Sequence, residues 1–326
     1  MRVKSKKFAL IAASIIMVLA VPLIIFHSRS PVLILTEQSL LRLYGEDRIR
    51  SESFRSSLSL FRPVKTVVVA NDSGDDIVQY AVAEASSRPY FVLFPSRFVR
   101  SAEIYHNHNP GNRIILMETS NSAGNFVVNA QNDSHIDFFT FRSDVEADFY
   151  RAGYIAAMLD LENTGRNLVF LHNSVYSQGR SAFLRAQEDQ NKPQGTQFFT
   201  NYSAQSGNLD FSCVIIAGAG YEFVEEEHGI PVILFSWLNP PFLPSDVVLV
   251  VNDSPWALTV QAVRLAESGA ATGNIPSKLI ITDTGKVSRY MLEASLRGLE
   301  ATLRGLASQG PDVSSGGRDV SLRELR

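Results

Sequence analysis

Polar side chains able to select a small ligand stand where apolar runs end. Gln38 follows VLILTE, Asp72 lies in the loop NDSGDD after KTVVVA, Glu118 closes RIILME, and Asp253 follows VVLVVN. Carboxylates and amides at such places offer acceptors and donors to hydroxyl groups, and Tyr176, Trp237 and Trp256 supply flat faces for a ring or a sugar. Gly218-Ala219-Gly220 follows CVIIA and precedes a helical pattern, so backbone N–H groups near Gly220 could face an anion or a hydroxyl-rich ligand. A tight turn accounts for the same glycine pair. It is not a dinucleotide fingerprint, because Phe223 stands where the third glycine would fall. The ligand-binding candidates are therefore Gln38, Asp72, Glu118, Tyr176, Gly220, Trp237, Asp253 and Trp256, and no cofactor is expected.

Other patterns have bland readings. His106-x-His108 in HNHNPGN reads as a solvated Pro/Gly loop, since no acidic or cysteine partner stands at ligand spacing and no metal site is expected. Asp72, Asp75 and Asp76 could ligate a cation, with helix capping as the default reading, and Glu225-Glu226-Glu227 reads as a charged helix face. The single Cys213 lies in an apolar run; it excludes an intrachain disulfide and reads as a small core residue. No Gly-x-Ser-x-Gly elbow, Walker loop or zinc-protease helix is present, so no catalytic residue is named and the chain is not expected to be an enzyme. A formal net charge of −3, with no basic stripe outside the extreme N-terminus, gives no footing for nucleic acid.

The elements that must position these groups alternate between two periods. At 326 residues, 45% apolar and 19% charged, the chain can bury a large core and form two compact lobes. Strands are expected at Val32–Thr36, Lys65–Ala70, Tyr90–Phe94, Arg113–Glu118, Phe126–Val128 and His135–Phe141, with helical segments around Leu40–Leu60, broken near Gly45, and over Ile77–Ser86. A second series follows: strands at Asn167–His172, Thr196–Asn201, Cys213–Ala217, Pro231–Phe235, Val247–Val251 and Leu279–Thr282, and helices at Ser181–Gln190, Tyr221–Glu227, Ala257–Glu267 and Met291–Leu306. Between the series runs a central helix. Ser143 and Glu146 form a capping box, Asp144, Glu146 and Asp148 place negative charge at the positive end of the helix dipole, and Gly165 supplies the stop. Val145, Phe149, Ala152, Ala156 and Leu159 share one face, while Gly153, Ala156 and Ala157 make a flat side for another backbone. Strands alternating with helices predict an α/β chain with parallel sheets in two halves, with ligand-bearing loops at the carboxyl ends of both and a cleft between them.

At the N-terminus Arg2, Lys4, Lys6 and Lys7 precede the apolar run Phe8–Phe26. The run approaches the roughly 20 residues that cross a bilayer, and its positive flank should stay inside. An uncleaved anchor is the expected reading, with the bulk of the chain extracytoplasmic at the cell membrane. The competing reading is a signal peptide cut after Val18-Leu19-Ala20, which would leave VPLIIF exposed; a cut after Ser28-Arg29-Ser30 would meet Pro31. No cysteine follows the run, which closes the lipid-anchored route.

Three stretches carry a resemblance. They are F-x-x-x-G-Y-x-A-A at Phe149, Gly153, Tyr154, Ala156 and Ala157; SCVIIAGAGYEFVEEEHGIPVILF; and VVLVVNDSPWALTVQAVRLAESGAATG. In kind and order they resemble the second lobe of the basic membrane protein family, purine-nucleoside-type solute receptors with the type 1 periplasmic-binding-protein fold. The likeness spans about Pro31 to Leu306 and is weakest at the start. It implies a first lobe at 31–142, a second at 143–250, and crossover and closing segments at 251–308; the apolar run places the anchor at 1–30, and the Gly-, Ser- and charge-rich composition of 309–326 reads as a disordered tail. The likeness also implies a small nucleoside-like or sugar-like ligand and, as partners, an ABC permease and its ATPase. The alternative is an envelope receptor or sensor on the same fold that has lost transport. The departures concern the ligand. LTEQSLLRLYGED replaces the family's gripping Asp…Ser-Phe-Asn segment, Glu118 replaces an aspartate, Ser236 beside Trp237 and Asn239 replaces the ribose-holding aspartate, and the late lysine has no equivalent near Trp256. Loss of charged groups with retention of aromatics points away from a standard nucleoside site.

Overall fold

Apolar runs buried on both faces mark parallel sheets covered by helices, and this chain forms two such sheets. The computed structural model describes residues 24–118, 138–159, 166–171, 179–191, 195–200, 211–217, 229–235, 245–282 and 289–308, and divides into two compact units.

The first sheet contains β1 (Val32–Glu37), β2 (Val64–Val69), β3 (Phe91–Pro95), β4 (Ile114–Glu118), β5 (Phe138–Ser143) and β11 (Thr272–Ile275), in the order β2-β1-β3-β4-β5-β11. β1 is parallel to β2 and β3, and β3 to β4. Helices α1 (Gln38–Tyr44), α2 (Glu46–Leu60), α3 (Asp75–Ala85) and α4 (Val99–His108) connect these strands. The expected break between α1 and α2 falls at Gly45, whose φ of +89° a side chain would resist. Leu33, Leu35, Val92, Phe94 and Leu116 pack under Val78, Val82, Ala102 and Tyr105.

The second sheet repeats the order. It contains β6 (Asn167–Leu171), β7 (Gln197–Phe199), β8 (Cys213–Ala217), β9 (Val232–Phe235), β10 (Val247–Asn252) and β12 (Lys278–Ile281), arranged β7-β6-β8-β9-β10-β12. Pairings are parallel except β10 with β12. Both faces are covered: Cys213, Ile215 and Ala217 enter one apolar cluster, Val214 and Ile216 the other. The described helices are α5 (Val145–Leu159), α6 (Gly179–Asp189), α7 (Pro255–Glu267) and α8 (Arg289–Ser308). Within the described residues the chain passes between units after Met117, after Phe141, within α7 after Leu258, and after Gly273.

The flat side of the central helix is used as its composition predicts. A Cβ on Gly153 would lie 2.6 Å from the Phe183 carbonyl oxygen of α6, so two backbones meet where side chains are smallest. Phe149 stacks on Phe235 at 4.6 Å. The cap differs from expectation. Ser143 is the last residue of β5, and Asp144 does the capping: its Oδ1 accepts the Ala147 N–H at 3.0 Å. His106 and His108 sit in the last turn of α4, not in a loop; the turn begins only at Asn109. β11 carries no strand signal in the sequence.

The expected strand at Phe126–Val128, the helix at Tyr221–Glu227, the stop at Gly165, the tail from Gln309 and the apolar run up to Leu23 lie outside the described residues. Among the described residues no helix is long and apolar enough to cross a membrane.

Candidate functional site

Because β1 to β4 run in parallel, their carboxyl ends share one edge, and the strand order reverses between β1 and β3. Such a reversal is where open α/β sheets take ligands. Glu37 is the last residue of β1, and its side chain is only 6% exposed. It forms an ion pair with Arg97, which stands in the 3-10 turn Ser96–Phe98 directly after β3. Arg97 lies 5.1 Å above the Phe98 ring, and partial burial pulls its pKa down. At 44% exposure the guanidinium keeps a face open while Glu37 is covered.

Three of the sequence candidates stand at this end of the strands. Gln38 is exposed at the start of α1, and the next residue, Ser39, donates its N–H to Asn71 Oδ1 at 3.0 Å. That bond ties the end of β1 to the loop after β2. In the loop Asp72 is exposed with φ +57°, a left-handed conformation that aspartate tolerates better than most residues. Ser73 Oγ closes the turn on Ala70 O at 2.7 Å. Glu118 stands at the same end of β4 and pairs with Arg142 of β5 at 2.8 Å, so its carboxylate is partly committed. Asp75 is not the cap of α3; Gly74 takes that place, and Asp75 accepts from Ser101 Oγ at 2.6 Å and faces Arg100 at 3.3 Å.

In the second unit Asp253 and Trp256 are described. Asp253 follows β10 and is 1% exposed. Beside it Ser254 caps α7, giving its hydroxyl to Asn252 Oδ1 at 2.9 Å and accepting the Ala257 N–H at 3.3 Å, with Pro255 in the first helical position. Trp256 has no exposed surface, so the flat face expected to stack on a ligand is occupied by protein. Tyr176, Gly220 and Trp237 lie outside the described residues, in the segments that follow β6, β8 and β9.

Glu37 and Arg97 were absent from the sequence candidates. The signal was a carboxylate closing VLILTE and a cation just after FVLFPS, but nothing local links two residues so far apart in the chain. A groove of about 470 Å³, lined by Leu41, Ile49, Ser53, Phe54, Val64 and Thr66, involves none of these strand-end groups.

A separate polar cluster is buried at the start of α5. Asp148 pairs with Arg151 and accepts both the hydroxyl and the N–H of Ser277, the latter at 2.9 Å. Arg151 also donates to Ser277 O at 2.8 Å. Burial pushes the Asp148 carboxyl up, against the pull of Arg151 and the Ser277 hydrogen bonds.

No known family model matches the chain, and no curated protein matches it. Solved structures do. An ABC transporter system solute-binding protein from Conexibacter woesei DSM 14684 superposes with a TM-score of 0.59 at 10% identity, over 87% of this chain and 99% of that one. A transcriptional activator of the comK gene from Bacillus halodurans gives 0.57 at 13% identity, over 84% and 97%. At these identities the likeness is one of fold: parallel-rich sheets flanked by helices, the type 1 periplasmic-binding-protein fold.

Proposed function

We propose that this chain is a membrane-anchored, extracytoplasmic solute-binding protein that takes a small, neutral, polar ligand of sugar or nucleoside type for an ABC permease and its ATPase. The carboxyl edge of the first sheet carries the reading. There a buried glutamate and a half-exposed arginine share an ion pair at the strand-order reversal, flanked by the exposed Gln38 and Asp72. An anionic ligand would compete with Glu37 for the guanidinium, and a cationic one with Arg97 for the carboxylate. A neutral ligand whose hydroxyl groups both donate and accept meets neither penalty. The Conexibacter solute-binding protein, alike in fold along nearly its whole length, supports the class. The lysine-flanked run Phe8–Phe26 supports the anchor and the extracytoplasmic placement. The reading is of a receptor, not an enzyme.

A second reading, an envelope sensor without transport, is favoured by one observation: a protein of the same fold is described as a transcriptional activator. A thermal-shift screen of the full chain against free pentoses, hexoses and nucleosides separates the two. A ligand at a hundred times its dissociation constant stabilises by about 2.7 kcal/mol. Gln38→Ala, at an exposed position, should weaken that ligand about tenfold. Silence across the whole panel refutes the uptake reading and leaves the sensor.

A further inference from the structure

We propose that the outer face of α2 rests on an anionic lipid bilayer, beside the point where the N-terminal run joins the fold; this depends on reading Phe8–Phe26 as an anchor. Past the buried Ile49, helix α2 is inside out for a helix in water: it buries Glu52, Ser56 and Ser57 while Phe54 and Leu58 stand 64% and 58% exposed. The buried side has its reason: Ser57 Oγ donates to Ser53 O at 2.7 Å and accepts the Val64 N–H at 2.8 Å, fastening the helix to β2. The outer side has none in water, where an amphipathic helix turns its apolar stripe inward.

Phe54 and Leu58 are one helical turn apart on a single face, and Phe61 prolongs that face past the helix end. Phe61 holds φ +50°, a C-terminal position where glycine is the usual residue, and leaves 42% of its surface open. A large apolar side chain in that conformation gains little from the core to offset its backbone cost.

The same face receives the end of the N-terminal run. The Phe26 ring lies 6.0 Å from Phe61, and Ile24 and Ile25 beside it are exposed. Arg29 covers Phe61 at 4.9 Å and donates to its carbonyl at 3.3 Å. Arg264 reaches Ser59 O at 3.4 Å, and Arg55, exposed on α2 itself, is paired with the buried Glu52 at 3.2 Å. The acidic first turn, Glu46 and Asp47, is at the other end of the helix. Apolar side chains bordered by arginines suit the headgroup boundary of a membrane carrying negative lipid. If the anchor ends at Phe26, only residues 27–31 separate it from β1, so the bilayer lies within reach of this face.

The test places a fluorophore at Leu58→Cys and, as a control, at Tyr80→Cys, an exposed position on α3. The buried Cys213 thiol stays unlabelled. The full chain is reconstituted into phosphatidylcholine vesicles with and without phosphatidylglycerol. Brominated lipid should quench position 58 at least about twofold more than position 80 when the anionic lipid is present, with a smaller difference without it. Equal quenching overturns the proposal, as does energy transfer between labelled copies at position 58, which would assign the face to a second copy. Alkaline carbonate extraction tests the anchor separately. Retention with equal quenching removes the face alone; extraction removes the anchor and with it the proposed seating.

Discussion

Gly153→Ala should destabilise the second unit, although alanine is the better helix former. In a solvent-exposed helix interior the exchange gains about 1 kcal/mol. Here the new Cβ would lie 2.6 Å from the Phe183 carbonyl oxygen and 3.1 Å from both Phe183 Cα and Ala186 Cβ. An ordinary contact begins near 3.4 Å, so α5 and α6 must part by about 0.8 Å along a seam whose opposing atoms are largely backbone. Overpacking of this kind costs about 1–3 kcal/mol. Because a carbonyl cannot swing aside as a side-chain end does, the cost falls in the upper part of that range, and the net loss is about 1–2 kcal/mol. The Gln187 Nε2 bond to Gly153 O, at 3.4 Å, would lengthen with the same shift. Two units can unfold separately, so the probe must belong to the right one. Cys213 lies in the same apolar cluster as Ala152, Ala156 and Phe183, and alkylation of this single thiol against urea reports that core. With a slope of about 2 kcal/mol per molar, the midpoint should fall by roughly 0.5–1 M. Gly298→Ala in α8, where a Cβ would meet nothing within 4 Å, should instead gain roughly 0.5–1 kcal/mol. If Gly153→Ala matches or exceeds the wild-type midpoint while Gly298→Ala gains, close packing is not why glycine is there.

Burial pushes the Cys213 thiol up, so alkylation at mildly alkaline pH should be negligible in the native protein and rapid in urea; fast native labelling would contradict the buried strand. Asp148→Ala leaves Arg151 buried without its carboxylate and should cost about 3–5 kcal/mol, read by the same thiol probe. The wild-type Asp148 carboxyl binds its proton more tightly folded than unfolded, so its contribution to stability should fall as pH rises from its unfolded value of 3.8 through its higher folded value. Burial, with a 2.7 Å hydrogen bond to Asp189, holds the Tyr150 phenol at about 12. The folded state therefore keeps that proton between 10.0 and about 12, and stability should decline across this window; Tyr150→Phe should flatten the decline in urea midpoints measured over it.

The strands were legible because both faces of each sheet are covered, which turns core strands into continuous apolar runs; CVIIA begins and ends where β8 does. Helix α4 was missed for a local reason. FVRSAEIYHNH mixes Ser, His and Asn into its stripe, and the Asn-Pro-Gly turn that follows dominates the reading, although Ala102 and Tyr105 do face the core. The side that α2 turns inward was equally hidden, since past Ile49 it is Glu52, Ser56 and Ser57 that are buried, and Phe54 and Leu58 are not. At the site, Gln38, Asp72 and Glu118 could be found because strand ends can be found. The Glu37–Arg97 pair could not, because it forms only when β1 and β3 become neighbours, and sequence order does not announce that.

The strand β11 shows how tertiary contacts override a poor local signal. Its sequence, TGNI, contains glycine and asparagine, both disfavoured in strands, and only Ile275 is buried. The alignment comes from bonds on either side of it. Thr140 N–H reaches Ala271 O at 2.8 Å, Asp144 N–H reaches Ile275 O at 2.9 Å, and just beyond, Ser277 is held by both Asp148 and Arg151. Two of the three groups that fix the far end, Asp144 and Asp148, come from the first turn of the central helix, so the capping that starts α5 also sets where β11 must stop. A buried ion pair is weak evidence for stability, because desolvation offsets much of its attraction. Its consequence here is register: a one-residue slip of β11 would carry Ser277 away from Asp148 and leave a buried carboxylate without two of its hydrogen-bond donors.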